Sequence, residues 1–130
     1  MAEALAKHFF GTRLLARSAG TRPHAVYDSK KATMTLQSKF GVDLPGHQQT
    51  NVRDLYLDTF TYVIAMDSGI ATSLAKLTRR SIMTWHVEDP WGGDAVVYHQ
   101  CALKIREQIE QLATTIRLRK RREKKPIRMP

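Results

Sequence analysis

A seven-residue apolar run, FTYVIAM from Phe60 to Met66, restricts the possible folds of this chain more than any other segment. A run rich in β-branched and aromatic residues, without polar alternation, is typical of a strand buried on both faces of a parallel sheet. Asp67 and Ser68 follow directly and are favoured N-cap residues, so they predict a helix that extends to Leu77. A strand followed at once by a helix favours an α/β layered fold.

Helical and extended segments precede this run. Helix formers over residues 2–10, closed by Gly11, predict a short helix with no N-cap residue before it. Residues 13–18 (RLLARS) predict a short strand. The looser apolar spacing of residues 25–40 predicts a helix, and Gly41 is placed to end it as a C′ residue.

The last third of the chain is dominated by one long helix. Residues 82–87 (IMTWHV) predict a weaker strand, and residues 88–93 (EDPWGG) predict a loop. From Asp94 the apolar residues recur every three or four positions, which predicts a helix packed along one face. We expect it to fray in the basic segment, and Pro126 ends any helix. The expected stripe consists of Val97, Cys101, Ile105, Ile109, Leu112 and Ile116.

The net charge of +9 is concentrated at one end. Residues 117–128 contain eight Lys or Arg and one Glu, a net charge of +7, which leaves +2 for the rest of the chain. We therefore expect one domain over residues 1–116 and a basic tail over residues 117–130. The tail could bind RNA, another acidic partner or an anionic surface, or could simply be a solvated helix end. Its basic residues are Arg117, Arg119, Lys120, Arg121, Arg122, Lys124 and Lys125.

The cysteine and histidine content argues against a metal site. Cys101 is the only cysteine, so neither an intramolecular disulfide nor a cysteine-based cluster can form, and the five histidines lack metal-ligand spacing. We expect no metal and no cofactor. No apolar run approaches the roughly 20 residues that span a bilayer, and the first ten residues do not resemble a signal peptide, so a cytoplasmic protein is expected.

Several short motifs, in order and at matching distances, resemble the low-molecular-weight protein tyrosine phosphatases. This resemblance covers essentially the whole chain and implies a three-layer α/β fold of the phosphotyrosine phosphatase I type, with a small parallel sheet flanked by helices. The motifs are MAEAL at 1–5, SAGT at 18–21, GVDLPGH at 41–47, AMD at 65–67 and EDPWGG at 88–93.

The resemblance also implies roles for individual residues. Asp89, which precedes Pro90, matches the general acid that protonates the leaving group. Trp91 matches the aromatic residue that forms a wall of the substrate pocket. Ser18 and His47 would support the phosphate-binding loop. Asp67 would orient its surroundings.

In that family the MAEAL-like helix directly follows a Cys-x5-Arg-Ser loop on the first, central strand. Nothing precedes Met1 in this sequence, so we expect the nucleophile, the arginine and that strand to be missing. Unpaired backbone groups along the neighbouring strands would each cost about 1–3 kcal/mol. Either those strands close together, or another chain or a second copy of this one supplies a strand, or the natural protein has an upstream segment.

Three functions follow as expectations. The first is a phosphatase-like domain that acts without catalysis as a binding or assembly subunit. The second is a truncated chain of an active phosphatase that hydrolyses phosphotyrosine monoesters. The third is an RNA- or complex-associated protein that acts through its basic tail. Arsenate reductases share the fold, but the further cysteines that their chemistry needs are not in this sequence.

Overall fold

The computed structural model describes residues 1–20, 30–43 and 50–124, with side chains described as far as Arg122. Helices alternate with short strands in the second half of the chain, as the α/β prediction requires. In chain order the helices and strands are α1 (Ala2–Phe10), α2 (Lys30–Thr35), β1 (Val63–Ala65), α3 (Ser68–Ala75), β2 (Ile82–Thr84) and α4 (Ala95–Lys124).

The sheet consists of β1 and β2, which run parallel with Val63 opposite Ile82 and Ala65 opposite Thr84. Helix α3 forms the crossover between them. It is capped by Asp67, whose Oδ1 accepts a hydrogen bond from the Ile70 N–H at 2.7 Å, which confirms the predicted N-cap. The fold is therefore α/β, with a small parallel sheet flanked by helices. Strand β1 is shorter than the apolar run that predicted it.

Both faces of β1 are covered, as its unbroken apolar sequence predicts. Val63 and Ala65 are buried in one cluster together with Leu74 of α3. Ile64 points to the other face, where it packs against a larger cluster built mainly from α1 and α4. Burial on both sides explains why the strand has no polar alternation.

The buried stripe of α4 differs from the predicted one at its first turn. Val97 is 42% exposed and Cys101 only half-buried, whereas the neighbouring Tyr98 and Ala102 are buried. The first turn of α4 adjoins the loop before it, and the Val97 side chain fills the space that a Cβ atom at Gly93 would need. From there the stripe follows the prediction, with Ile105, Ile109, Leu112 and Ile116 all buried.

The helix predicted over residues 25–40 is found in part. Residues 25–29 lie outside the described ranges, and α2 continues into a π-helical turn, Leu36–Phe40, which the sequence did not predict. Gly41 ends it with a left-handed φ of 63°, and the Val42 N–H reaches back to the Leu36 carbonyl at 3.0 Å. Gly41 is thus the predicted C′ residue.

One other prediction was wrong. Residues 13–18 do not form a strand: a 3₁₀ turn covers Gly11–Arg13, and an irregular segment continues to a single bridge between Gly20 and Asn51. Helix α4 continues past residue 116 into the basic segment and is described as far as Lys124. The guanidinium of Arg119 lies 5.8 Å from the centre of the Tyr62 ring, a contact that holds the basic end of α4 against the chain. Among the described helices, none is long and apolar enough to cross a membrane.

Candidate functional site

The loop between β2 and α4 holds Asp89 in a defined position. Its Oδ1 accepts a hydrogen bond from the Trp91 N–H at 3.0 Å, which closes an Asx turn around Pro90. The Gly93 N–H donates to the Pro90 carbonyl at 2.8 Å, and Gly92 has a φ of 82°, a value that glycine tolerates well. The Asp89 side chain is exposed, so a carboxyl group is presented to solvent from a constrained backbone.

Lys31 of α2 fixes the end of this loop. Its Nζ donates to the Gly93 carbonyl at 2.7 Å and so ties α2 to the end of the loop. Sequence reasoning missed this residue because 62 positions separate the two partners and neither belongs to a motif that pairs them. Trp91 is 71% exposed and therefore lies outside the core.

The amino end of α1 lies close to the same loop. Burial lowers the pKa of the Met1 amino group, and the Cys101 thiol and the Glu3 carboxylate partly offset that effect. Burial raises the pKa of Cys101, and the Asp89 carboxylate raises it further while the amino group opposes both. These mutual effects place Met1, Cys101 and Asp89 in one neighbourhood, at the helix end where the macrodipole is positive.

Ser18 lies beside this helix end through contacts with Glu3. Its backbone N–H donates to the Glu3 Oε1 at 2.8 Å, and its Oγ lies 3.4 Å from the same oxygen. The structure therefore joins the SAGT and MAEAL motifs directly. Glu3 was not singled out from the sequence, although the MAEAL motif contains it.

The remaining predicted site residues are more dispersed. Asp67 caps α3 at the carboxyl end of β1, so its observed contacts are structural. His47 lies outside the described ranges. Of the basic tail, Arg117, Arg119, Lys120, Arg121 and Arg122 are described and exposed on α4, away from the Asp89 loop in sequence. Within the described ranges no three His, Cys, Asp or Glu side chains are grouped so that they could hold a metal ion.

A cavity with a volume of about 730 Å³ runs along the edge of β1 that faces away from β2. Its walls are mostly apolar and come from α1, from residues 14–19, from the segment around β1 and from α4. In a parallel ladder successive residues direct their backbone groups to opposite edges. The Trp85 N–H bonds to the Ala65 carbonyl, so the N–H and C=O of Ile64 point to the edge away from β2, and Ile64 lines the cavity at that edge.

Comparison with known proteins identifies one matching family and one similar protein. The family described as low molecular weight phosphotyrosine protein phosphatase matches residues 1–124. A glutaredoxin arsenate reductase from Synechocystis is 24% identical over 117 residues, covering 89% of this chain and 87% of that protein.

Solved structures agree on the fold. A low molecular weight protein tyrosine phosphatase from T. tengcongensis is 26% identical with a TM-score of 0.76, covering 88% of each chain. The YwlE arginine phosphatase from Geobacillus stearothermophilus is 22% identical with a TM-score of 0.80, covering 98% of this chain and 89% of that one.

Proposed function

The chain belongs to the low molecular weight phosphotyrosine protein phosphatase family, and from that premise we propose that residues 1–130 act as a phosphatase-like binding module. This module accepts a β-strand beside β1 and does not hydrolyse phosphomonoesters by itself. The observation that carries the proposal is the cavity of about 730 Å³ along the outer edge of β1. No strand of the described ranges pairs with that edge.

An added strand would satisfy backbone groups that the fold leaves at the cavity wall. The N–H and C=O of Ile64 point there, and unsatisfied buried groups of this kind cost about 1–3 kcal/mol each. Strand addition supplies affinity through main-chain hydrogen bonds, while pockets for the side chains supply specificity. The cavity is lined by apolar side chains, among them Phe10, Leu14 and Ile116, so the incoming strand should be apolar on both faces.

The partner is another protein chain or a second copy of this one. Both alternatives complete the sheet in the same way, and the mass of the complex in solution distinguishes them.

The one thiol in the sequence supports the proposal that this chain does not hydrolyse phosphomonoesters by itself. Cys101 lies inside α4 rather than in a phosphate-binding loop, and only four residues separate it from Arg106, a spacing that does not fit Cys-x5-Arg. Its pKa is raised by burial, whereas a nucleophilic cysteine needs a lowered pKa. No other residue of the chain can form the cysteinyl-phosphate of this family.

The proposal is tested by amide hydrogen exchange on the full chain. A soluble peptide with five consecutive Val, Ile or Phe residues should slow exchange of the Ile64 amide by about tenfold or more. A control peptide with proline at its centre lacks the N–H needed for a ladder and should leave the rate unchanged. Equal exchange rates for Ile64 with and without saturating apolar peptide would contradict the proposal.

A second candidate is hydrolysis of phosphotyrosine or similar monoesters by a longer form of this chain. The constrained, exposed carboxyl group of Asp89 favours it. In that form Asp89 would donate a proton to the leaving group, and Trp91 would contact the substrate ring. A complementing polypeptide with a Cys-x5-Arg-Ser loop should then restore hydrolysis of para-nitrophenyl phosphate. Asp89→Asn should lower the restored kcat by about 10²–10⁴-fold; no restoration would count against this candidate.

A further inference from the structure

A second depression, of about 350 Å³, lies where α1, the π-helical turn and α4 meet. We call it the basic cup. It shares one lining residue, Ile109, with the cavity beside β1 and none with the Asp89 loop. Its seven lining residues are Leu5, His8, Phe9, Lys39, Phe40, Arg106 and Ile109.

The polar side chains of the basic cup are all basic. His8 comes from α1, Lys39 from the π-helical turn and Arg106 from α4, and all three residues are exposed. Arg106 forms an ion pair with Glu110, with 4.0 Å between Nε and Oε1, and Glu110 does not line the cup. Two permanent cations and one histidine thus converge on a single depression, a charge pattern that complements a phosphate dianion.

The floor of the basic cup is apolar and partly aromatic. Leu5 and Ile109 are buried beneath it, and Ile109 is only 1% exposed. The Arg106 guanidinium lies 5.5 Å from the centre of the Phe40 ring, so a cation–π contact positions the cation at the rim. Phe9 is 37% exposed and offers a ring face or edge to a ligand. A bare inorganic anion would leave this apolar surface uncovered.

The local backbone supplies a further reason to regard the basic cup as a binding site. Lys39 and Phe40 both lie on the π-helical turn Leu36–Phe40. A π-helical turn is rare, and it is found frequently at functional sites. Here it brings one cation and one aromatic ring to the same depression, and Phe40 also contacts the His99 ring at 6.0 Å between centroids.

We propose that the basic cup binds a small organic phosphate that carries a flat ring, of the size of a mononucleotide. The phosphate contacts Lys39 and Arg106, with His8 close by, and the ring covers the apolar floor beside Phe9. The volume lies at the lower end of the range of about 300–1,000 Å³ for small-molecule pockets. This binding uses neither Asp89 nor the edge of β1, so it stands whether or not a strand is added there.

Titration of the full chain with adenosine monophosphate, followed by NMR, tests the proposal. The ring signals of Phe9 and Phe40 should shift. Adenosine and inorganic phosphate should each bind at least about tenfold more weakly, because each lacks half of the recognised chemistry. Arg106→Gln and Lys39→Gln should each weaken binding of the nucleotide at least about fivefold, the loss of one charge-assisted contact.

Lys104→Gln is the matched control, since Lys104 is an exposed cation on the same helix that does not line the basic cup. It should change the affinity by less than about twofold. Because Lys39, Lys104 and Arg106 are all exposed, unchanged circular dichroism spectra should accompany all three variants. The proposal is overturned if Arg106→Gln and Lys39→Gln bind as tightly as the original chain, or if the shifts lie on the basic tail. Inorganic phosphate binding as tightly as the nucleotide would also overturn it.

Discussion

The Sγ atom of Cys101 lies 3.6 Å from the backbone carbonyl oxygen of Glu88. The only thiol of the sequence is thus placed against the residue that precedes Asp89, the predicted general acid. This contact joins α4 to the loop but does not activate the sulfur, because burial and the Asp89 charge both favour the protonated form and raise the pKa of Cys101.

The raised pKa predicts a slowly reacting thiol. At pH 7.5 iodoacetamide should alkylate Cys101 at least about threefold more slowly than free cysteine, because less thiolate is present. In denaturant the two rates should become equal. Alkylation of the folded chain at the rate of free cysteine would show that the thiol is not shielded as the structure indicates.

Packing around the π-helical turn predicts a large loss of stability for Leu36→Ala. Leu36 is fully buried in the main core, and truncation of such a side chain costs about 2–5 kcal/mol because it leaves a cavity. Urea unfolding monitored by circular dichroism measures the change. Leu103→Ala on the exposed side of α4 is the control and should cost less than about 1 kcal/mol; similar losses for both variants would contradict the packing.

Asp58 predicts a pH-dependent contribution to stability. Its carboxylate accepts hydrogen bonds from the Thr78 hydroxyl and the Arg79 N–H, and these lower its pKa. A lowered folded pKa stabilises the fold above the unfolded value of about 3.9, and the contribution disappears as the pH falls through the folded pKa. Asp58→Asn should therefore lower the Tm at pH 7 by a few degrees, and the difference should shrink in acid. If the Tm difference between the original chain and Asp58→Asn stayed constant from pH 7 to below pH 3, the Asp58 carboxylate would not be the source of the stability.

The basic end of α4 predicts salt-dependent binding to single-stranded RNA. Lys120, Arg121 and Arg122 are exposed on a continuous helix. Their joint replacement by Gln should weaken binding and reduce the slope of log K against log salt concentration by about 2, as expected for three lost phosphate contacts. Lys7, Lys76 and Lys104, replaced together, provide a control of equal charge. Unchanged RNA binding by the tail variant, or an equal loss of RNA affinity in the control, would contradict a role of the tail in RNA binding.

The sequence predicted those parts of the fold in which local pattern and tertiary packing agree. The apolar run around Ile64 predicted a doubly covered strand, and Asp67 and Gly41 predicted helix ends, because capping depends on neighbouring residues alone. The loop around Asp89 was predicted for the same reason, since Pro90 and the two glycines act locally.

Features that depend on distant partners were not predicted. Residues 13–18 have the composition of a strand, but a strand requires a partner to pair with, and no described strand lies beside them. The contact of Arg119 with Tyr62 was not predicted either, because the two residues are far apart in the sequence. The link from Lys31 to Gly93, which holds the candidate site, also depends on the folded arrangement rather than on a local motif.

Hydrolysis of para-nitrophenyl phosphate by the purified 130-residue chain tests the proposed lack of autonomous catalysis most directly. We expect a rate no higher than that of the Asp89→Asn variant measured in parallel, because Cys101 is not activated to attack phosphorus. Turnover by the original chain that Asp89→Asn lowers by about 100-fold or more would contradict the proposal, since a working general acid requires a nucleophile.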